Sequence, residues 1–236
     1  MLKNILKVLA LAFLISTFSS AATIQDGYNE LKAGNTLEAM NIFKYNCEKG
    51  AFAACYNLGS IYYQGKYIEK NYQKAFENFE KACKEGHELA CFSQAIMYEN
   101  GQGTQKNLAK AIELYEKSCE KQNGSACYNL GNLYDKQNDS FNAVDYLTKA
   151  CSLNHAKACY NLAIKYYNED SVEYLPKKAH NLYEKACELN YAKACYNLST
   201  LYLDGKYFEK DIGKARGYLR KACDLKLKIA CEELQK

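Results

Sequence analysis

Twelve cysteines fall as six pairs, Cys47/Cys55, Cys83/Cys91, Cys119/Cys127, Cys151/Cys159, Cys187/Cys195 and Cys223/Cys231, each pair eight residues apart. Successive pairs recur at intervals of 36, 36, 32, 36 and 36 residues. A period of that length is one supersecondary unit about two helices long, which cannot bury its apolar face alone and must stack on copies of itself. The chain is therefore expected to be all-α and repetitive. Because such an array adds core unit by unit, its 236 residues say little about domain count.

Counted from the second cysteine as position 0, one string returns in helix A of each unit: Cys55-Tyr-Asn-Leu-Gly, Cys91-Phe-Ser-Gln-Ala, Cys127-Tyr-Asn-Leu-Gly, Cys159-Tyr-Asn-Leu-Ala and Cys195-Tyr-Asn-Leu-Ser. At about 100° per residue, positions 0, 3, 4 and 7 share one face. Position 4 is always small, and position 7 is always tyrosine (Tyr62, Tyr98, Tyr134, Tyr166, Tyr202). Small residues admit a neighbouring helix, and the tyrosines fill the gap while keeping their hydroxyls wet. Helix B is read backwards from the first cysteine. Alanine stands eight residues before it (Ala39, Ala75, Ala111, Ala143, Ala179, Ala215), and a large apolar or aromatic residue four before it (Phe43, Phe79, Tyr115, Leu147, Tyr183, Leu219). That spacing makes a second buried face. The short fourth unit loses its residues in the A-to-B connection around Lys136 to Ser140, and Pro176 is expected in the linker of the fifth. Unit boundaries are expected near 23–50, 51–86, 87–122, 123–154, 155–190 and 191–226, with a C-terminal cap at 227–236.

The N-terminus has a basic start with Lys3 and Lys7, an apolar run from Val8 to Phe18, and the small residues Ser19-Ser20-Ala21-Ala22. This reads as a signal peptide over 1–21, with the run too short to span a bilayer. The mature chain is then expected to be secreted, to the periplasm or beyond, without a membrane span. Removing Lys3 and Lys7 from a formal charge of +4 leaves +2, too mild to argue for nucleic acid.

In an oxidising compartment paired cysteines become disulfides. Pairing within a unit, such as Cys55 with Cys83, would orphan Cys47 and Cys231. Pairing at eight apart leaves none over and repeats one geometry, so each bridge should staple helix B to the next helix A. In the loop-entropy picture each is worth about 2.6 kcal/mol. Zinc is the weaker reading, because seven residues separate the cysteines of a pair and the chain has three histidines. Two of these, His87 and His155, hold equivalent turn positions and are expected to be solvated.

The strings Ala54-Cys-Tyr-Asn-Leu-Gly-Ser-Ile-Tyr62 and Lys74-Ala-Phe-Glu-Asn-Phe-Glu-Lys-Ala82, at this period, resemble Sel1-like repeats, relatives of the tetratricopeptide repeat. With the cysteine pairs and the leader, the chain is similar to the secreted bacterial cysteine-rich Sel1-like family, many of whose members carry the name β-lactamase. The resemblance covers about residues 27 to 236. It implies a right-handed α/α superhelical solenoid of six repeats with a short C-terminal helix, and binding or slow hydrolysis of penicillin-like compounds.

The residues themselves offer little catalytic machinery. Ser118-Cys-Glu-Lys121 has the Ser-x-x-Lys spacing of a serine β-lactamase, but a chain this rich in lysine meets that pattern by chance. Ser118 also stands where four of the other five repeats have alanine, so a satisfied structural serine is expected and the catalytic residues are left unassigned. No metal-ligand motif, phosphate loop or Gly-x-Ser-x-Gly turn is present, and no cofactor is assigned. Binding has more support. Positions 2, 5 and 9 of helix A lie within about 60° of one another, on the side opposite the expected core face. Position 2 reads Asn57, Ser93, Asn129, Asn161 and Asn197, and its four asparagines form a row of amides able to donate and accept hydrogen bonds. In related repeat proteins helix A lines the concave surface, where asparagines hold an extended peptide backbone. The expected partners are an extended peptide, a peptidoglycan fragment or a β-lactam, or another protein. A secreted effector that engages host receptors would use the same surface.

Overall fold

The computed structural model describes residues 22–168 and 174–235, so the expected leader lies outside the described residues, apart from Ala22. Among the described residues there are thirteen helices and no strand. In chain order they are α1 (Ile24–Ala33), α2 (Thr36–Glu48), α3 (Phe52–Gln64), α4 (Tyr72–Lys84), α5 (Glu88–Asn100), α6 (Leu108–Glu120), α7 (Gly124–Lys136), α8 (Ser140–Ser152), α9 (Ala156–Tyr167), α10 (Pro176–Glu188), α11 (Ala192–Asp204), α12 (Ile212–Asp224) and α13 (Lys228–Glu233). They alternate as helix A and helix B. The chain divides into two compact units, the first ending at Leu114 and the second beginning at Tyr115.

Each passage from helix B to the next helix A is built the same way. A single residue adopts left-handed backbone: Gly50, Gly86, Gln122, Asn154, Asn190 and Lys226, with φ between 60° and 88°. Its N–H donates to the carbonyl of the first cysteine, and the next N–H reaches one residue further back, as in Gly50 to Cys47 (3.1 Å) and Ala51 to Asn46 (2.9 Å). This pair of bonds is a Schellman motif, which satisfies carbonyls left orphaned at the helix end. The turn brings the cysteines eight apart to Cα separations of 4.6–4.8 Å, and all six pairs are bonded as the spacing predicts.

The core is the predicted pair of faces. The alanines eight before each first cysteine are buried, as are Phe43, Phe79, Tyr115, Leu147, Tyr183 and Leu219. Position 4 explains how closely the helices meet: a Cβ on Gly59 would lie 2.8 Å from the Phe79 ring, and one on Gly131 would lie 2.9 Å from Leu147. A second set of alanines, immediately before the second cysteine of each pair (Ala54, Ala90, Ala126, Ala158, Ala194, Ala230), is also fully buried.

Helix A returns to helix B through loops that share one bond: the N–H of Asn71, Asn107, Asp139, Leu175 or Asp211 donates to the carbonyl of the preceding position-7 tyrosine. In the short fourth repeat only residues 137–139 intervene, so the deletion falls where the sequence places it. Pro176, expected in a linker, instead begins α10, where its missing N–H costs nothing and its fixed φ suits the helix.

The histidines depart from expectation. His87 stacks on Tyr56 with centroids 4.7 Å apart, and its Nδ1 accepts the Ala90 N–H at 3.3 Å, capping α5. His155 stacks on Tyr128 at 4.4 Å with its Nδ1 buried and without a hydrogen-bond partner. Neither is a solvated turn residue, because the aromatic at position 1 of one helix A needs a flat surface from the next repeat. Burial is the main cause holding both rings below the ordinary histidine value.

Two outcomes follow from these turns. Gly50→Ala should cost about 1 kcal/mol, and Gln122→Gly should return a similar amount, because only the left-handed backbone distinguishes the residues there; urea unfolding of the oxidised protein measures both. The histidines give the second. Both are neutral in either state above the ordinary value of 6.5, whereas below it the unfolded chain takes protons that the folded chain resists. Their contribution is therefore present above pH 6.5 and lost as the pH falls through the depressed folded values. Replacing both with asparagine, which caps without titrating, should flatten the loss of stability as the pH falls below about 6.5 in thermal melts.

Candidate functional site

The position-2 residues are more engaged than an open row of amides would be. Asn57, on α3, is 9% exposed. The Tyr28 hydroxyl of α1 donates to its Oδ1 at 3.0 Å, and its Nδ2 lies 2.8 Å from the same hydroxyl. Tyr28 is fixed in turn by edge-on contact with Phe43, 5.6 Å between centroids. Asn129 Nδ2 donates to the Tyr115 hydroxyl at 3.3 Å, and Asn197 hydrogen-bonds the Tyr183 hydroxyl. Burial pushes Tyr183 up to about 12, with the Asn197 bond acting against the shift. Asn161 Nδ2 donates to Asn132 Oδ1 at 3.2 Å, and the Ser93 hydroxyl turns back to the Leu89 carbonyl at 2.8 Å.

These partners follow a rule. Where helix B carries tyrosine four before the cysteine, at Tyr115 and Tyr183, the asparagine fourteen residues later bonds its hydroxyl. Where that residue is Phe43 or Leu147, the partner comes from 29 residues back on the preceding helix A, at Tyr28 and Asn132. In the remaining case the helix B residue is Phe79 and the position-2 residue fourteen later is Ser93. Tyr28, Tyr115 and Tyr183 were not singled out as partners from the sequence, although the match of phenol to asparagine between repeats is visible there.

A groove of about 370 Å³ opens in the first unit, lined by Leu31, Tyr56, Asn57, Ser60, Ile61, Gln64, Lys66 and Tyr67. Asn57, Ser60 and Gln64 are positions 2, 5 and 9 of α3. The groove combines apolar walls, an amide edge from Asn57, the exposed Gln64 amide, and the Lys66 ammonium 4.8 Å above the Tyr67 ring. Such a mixture suits a short polar segment with apolar side chains and offers no nucleophile paired with a base.

Elsewhere the titratable groups tie helices together. Tyr134 and Tyr146 both donate to Glu116 Oε1, and Tyr218 donates to Glu184 Oε1 at 3.0 Å. His180 Nε2 lies 3.0 Å from the Tyr202 hydroxyl. Lysines of helix B lie over position-7 rings, among them Lys74 over Tyr62 and Lys178 over Tyr166. Ser118, expected to be a satisfied structural serine, is 2% exposed, but its Oγ has no hydrogen-bond partner, so it is buried without being satisfied. Among the described residues no three His, Cys, Asp or Glu side chains gather as metal ligands, and no helix is long and apolar enough to cross a membrane.

A tandem array of antiparallel helix pairs, with a small residue at position 4 of helix A and a bulky one opposite it on helix B, defines an α-helical repeat protein of the tetratricopeptide class. Sel1 repeat models match residues 52–87, 88–123, 156–191 and 192–227, more than half of the chain, and a tetratricopeptide repeat model matches 124–155. The chain belongs to the Sel1 repeat family. No curated protein matches it in sequence. Among solved structures it is similar to a Sel1 repeat protein from Oxalobacter formigenes, with 22% identity, TM-score 0.79, and coverage of 90% of this chain and 88% of that one. It is also similar to c5321, a protective antigen of uropathogenic Escherichia coli, with 22% identity, TM-score 0.61, and coverage of 83% of this chain and 50% of that one. Helicobacter pylori cysteine rich protein B is 34% identical over 55% of this chain and 96% of its own, with TM-score 0.44.

The Tyr28–Asn57 bond should be measurable by itself. In a double-mutant cycle of Tyr28→Phe and Asn57→Ala, the coupling should come to about 1 kcal/mol, the usual net worth of a partly buried hydrogen bond. Additive losses would mean that the pair contributes only packing.

Proposed function

We propose that the protein is an exported interaction scaffold that holds a short extended peptide segment of a partner against helix A of its second repeat. The observation that carries this reading is the groove on α3, whose lining includes Asn57, Ser60 and Gln64, three residues chosen from helical periodicity alone. From Asn57 to Gln64 the helix rises about 10 Å, which matches about three residues of extended chain. An amide edge beside apolar walls meets the two needs of such a segment, hydrogen bonds for its backbone and contact for its side chains. Export is supported by the basic, apolar and small-residue order of the N-terminus together with six disulfides, which belong to an oxidising compartment. The remaining position-2 residues, Ser93, Asn129, Asn161 and Asn197, stand on other helices and hydrogen-bond within the fold, and the short segment proposed here does not involve them.

Ser60 is the residue with which to test this. It lies in the groove, and its hydroxyl bonds only locally, to the Tyr56 carbonyl at 2.9 Å. Ser60→Arg should fill the groove without disturbing the helix. Against pools of random short peptides, the oxidised wild type should retain a subset that Ser60→Arg releases by tenfold or more, at unchanged helical content. Retention of nothing, or of the same peptides by both proteins, overturns the reading.

A further inference from the structure

The groove has a charge bias that narrows the ligand beyond peptide, and the inference drawn from it rests on the peptide-binding reading above. Of its eight lining residues, Lys66 alone carries a charge, and none is acidic. Lys66 follows Gly65, which caps α3 in left-handed conformation, and so enters the groove lining two residues after Gln64. Its observed neighbour is the Tyr67 ring at 4.8 Å, a contact that leaves ammonium protons able to donate, and among the described residues no carboxylate pairs with it. The negative end of the α3 dipole also lies here and opposes an anion. Part of it is already answered, because the Ile61 carbonyl accepts the Gly65 N–H at 3.1 Å and the Tyr62 carbonyl accepts the Asn71 N–H at 3.0 Å. What remains is a cation and an amide at one end, a hydroxyl and a second amide further along, and apolar walls of Leu31, Ile61 and Tyr56 between them.

We infer that the groove takes a carboxylate-bearing peptide segment, with the carboxylate at Lys66 and Gln64 and about two further residues running back along α3 towards Asn57. The group is the free carboxyl terminus of the segment, because only a terminal carboxylate leaves one direction for the remaining residues to run. The carboxylate fixes the direction of the bound segment, and a charge-assisted bond to the ammonium supplies affinity that a groove of this size lacks from apolar contact alone.

The test uses the oxidised protein and three pools of acetylated tetrapeptides, with retained peptides counted by mass spectrometry after equilibrium dialysis. One pool has neutral side chains and a free carboxyl terminus, the second is its carboxamide counterpart, and the third is amidated with a single Asp or Glu. The free-carboxylate pool should be retained about tenfold better than its amide, and Lys66→Gln should remove that advantage while leaving the weak retention of the amide pool. Enrichment confined to the third pool overturns the terminal carboxylate as the ligand and leaves peptide binding standing. Equal retention of all three pools, unchanged by Lys66→Gln yet lost in Ser60→Arg, overturns the carboxylate assignment and leaves peptide binding standing. Retention of no pool by the wild type overturns both. Lys66 is exposed in a loop, so its replacement leaves the helices intact.

Discussion

The turn from helix B to helix A is the constraint on which the rest of the molecule depends. Three demands coincide within nine residues: a left-handed residue that reverses the chain, two backbone bonds that close the helix end, and a disulfide that ties the two helices together. The cysteine spacing of eight follows from that geometry, since the Schellman turn brings position 0 of one helix beside the second-to-last residue of the other. Turn and bridge act on different states. Hydrogen bonds and backbone fit stabilise the folded turn, whereas the disulfide, in the loop-entropy picture, removes freedom from the unfolded chain. Repeated six times, the unit needs no large single core, and much of the packing is done by alanines that let helix backbones approach closely.

With the turn fixed, the helix faces follow. A small residue at position 4 of helix A and a bulky one on helix B interlock, as Gly59 does with Phe79 and Gly131 with Leu147. The aromatic at position 1 then rests on the first residues of the next repeat, whether His87, His155 or Tyr191. Two of these contacts use histidines whose neutral form the fold prefers, so the joints between repeats respond to acid in a way that apolar packing alone would not.

Recurrence of asparagine at position 2 has a structural explanation that leaves room for the functional one. Tyrosine hydroxyls take up part of the Asn57, Asn129 and Asn197 amides, and Asn132 takes up part of Asn161, which accounts for asparagine in mid-helix, where its intrinsic preference is poor. The binding reading consequently rests less on four equivalent amides than on one place where positions 2, 5 and 9 border an open groove with Lys66 and two tyrosines. Helical periodicity located three of those lining residues. Leu31, Lys66 and Tyr67 belong to another helix or to a loop, and no spacing rule within α3 brings them there.

The sequence by itself determined the repeat, the helix pairs, the partners of all twelve cysteines and the large members of the core, because each of these is set by spacing within one period of the chain. It also located the deletion of the fourth repeat, since the helix patterns on either side survive it. Only the tertiary structure decided that Pro176 opens a helix, that the turn histidines are stacked, and that the asparagines are held by particular tyrosines. The difference is physical. Periodicity assigns a residue to a face of its own helix, but which atoms meet that face depends on the separation and angle of a second helix, quantities set by the packing of every residue between them.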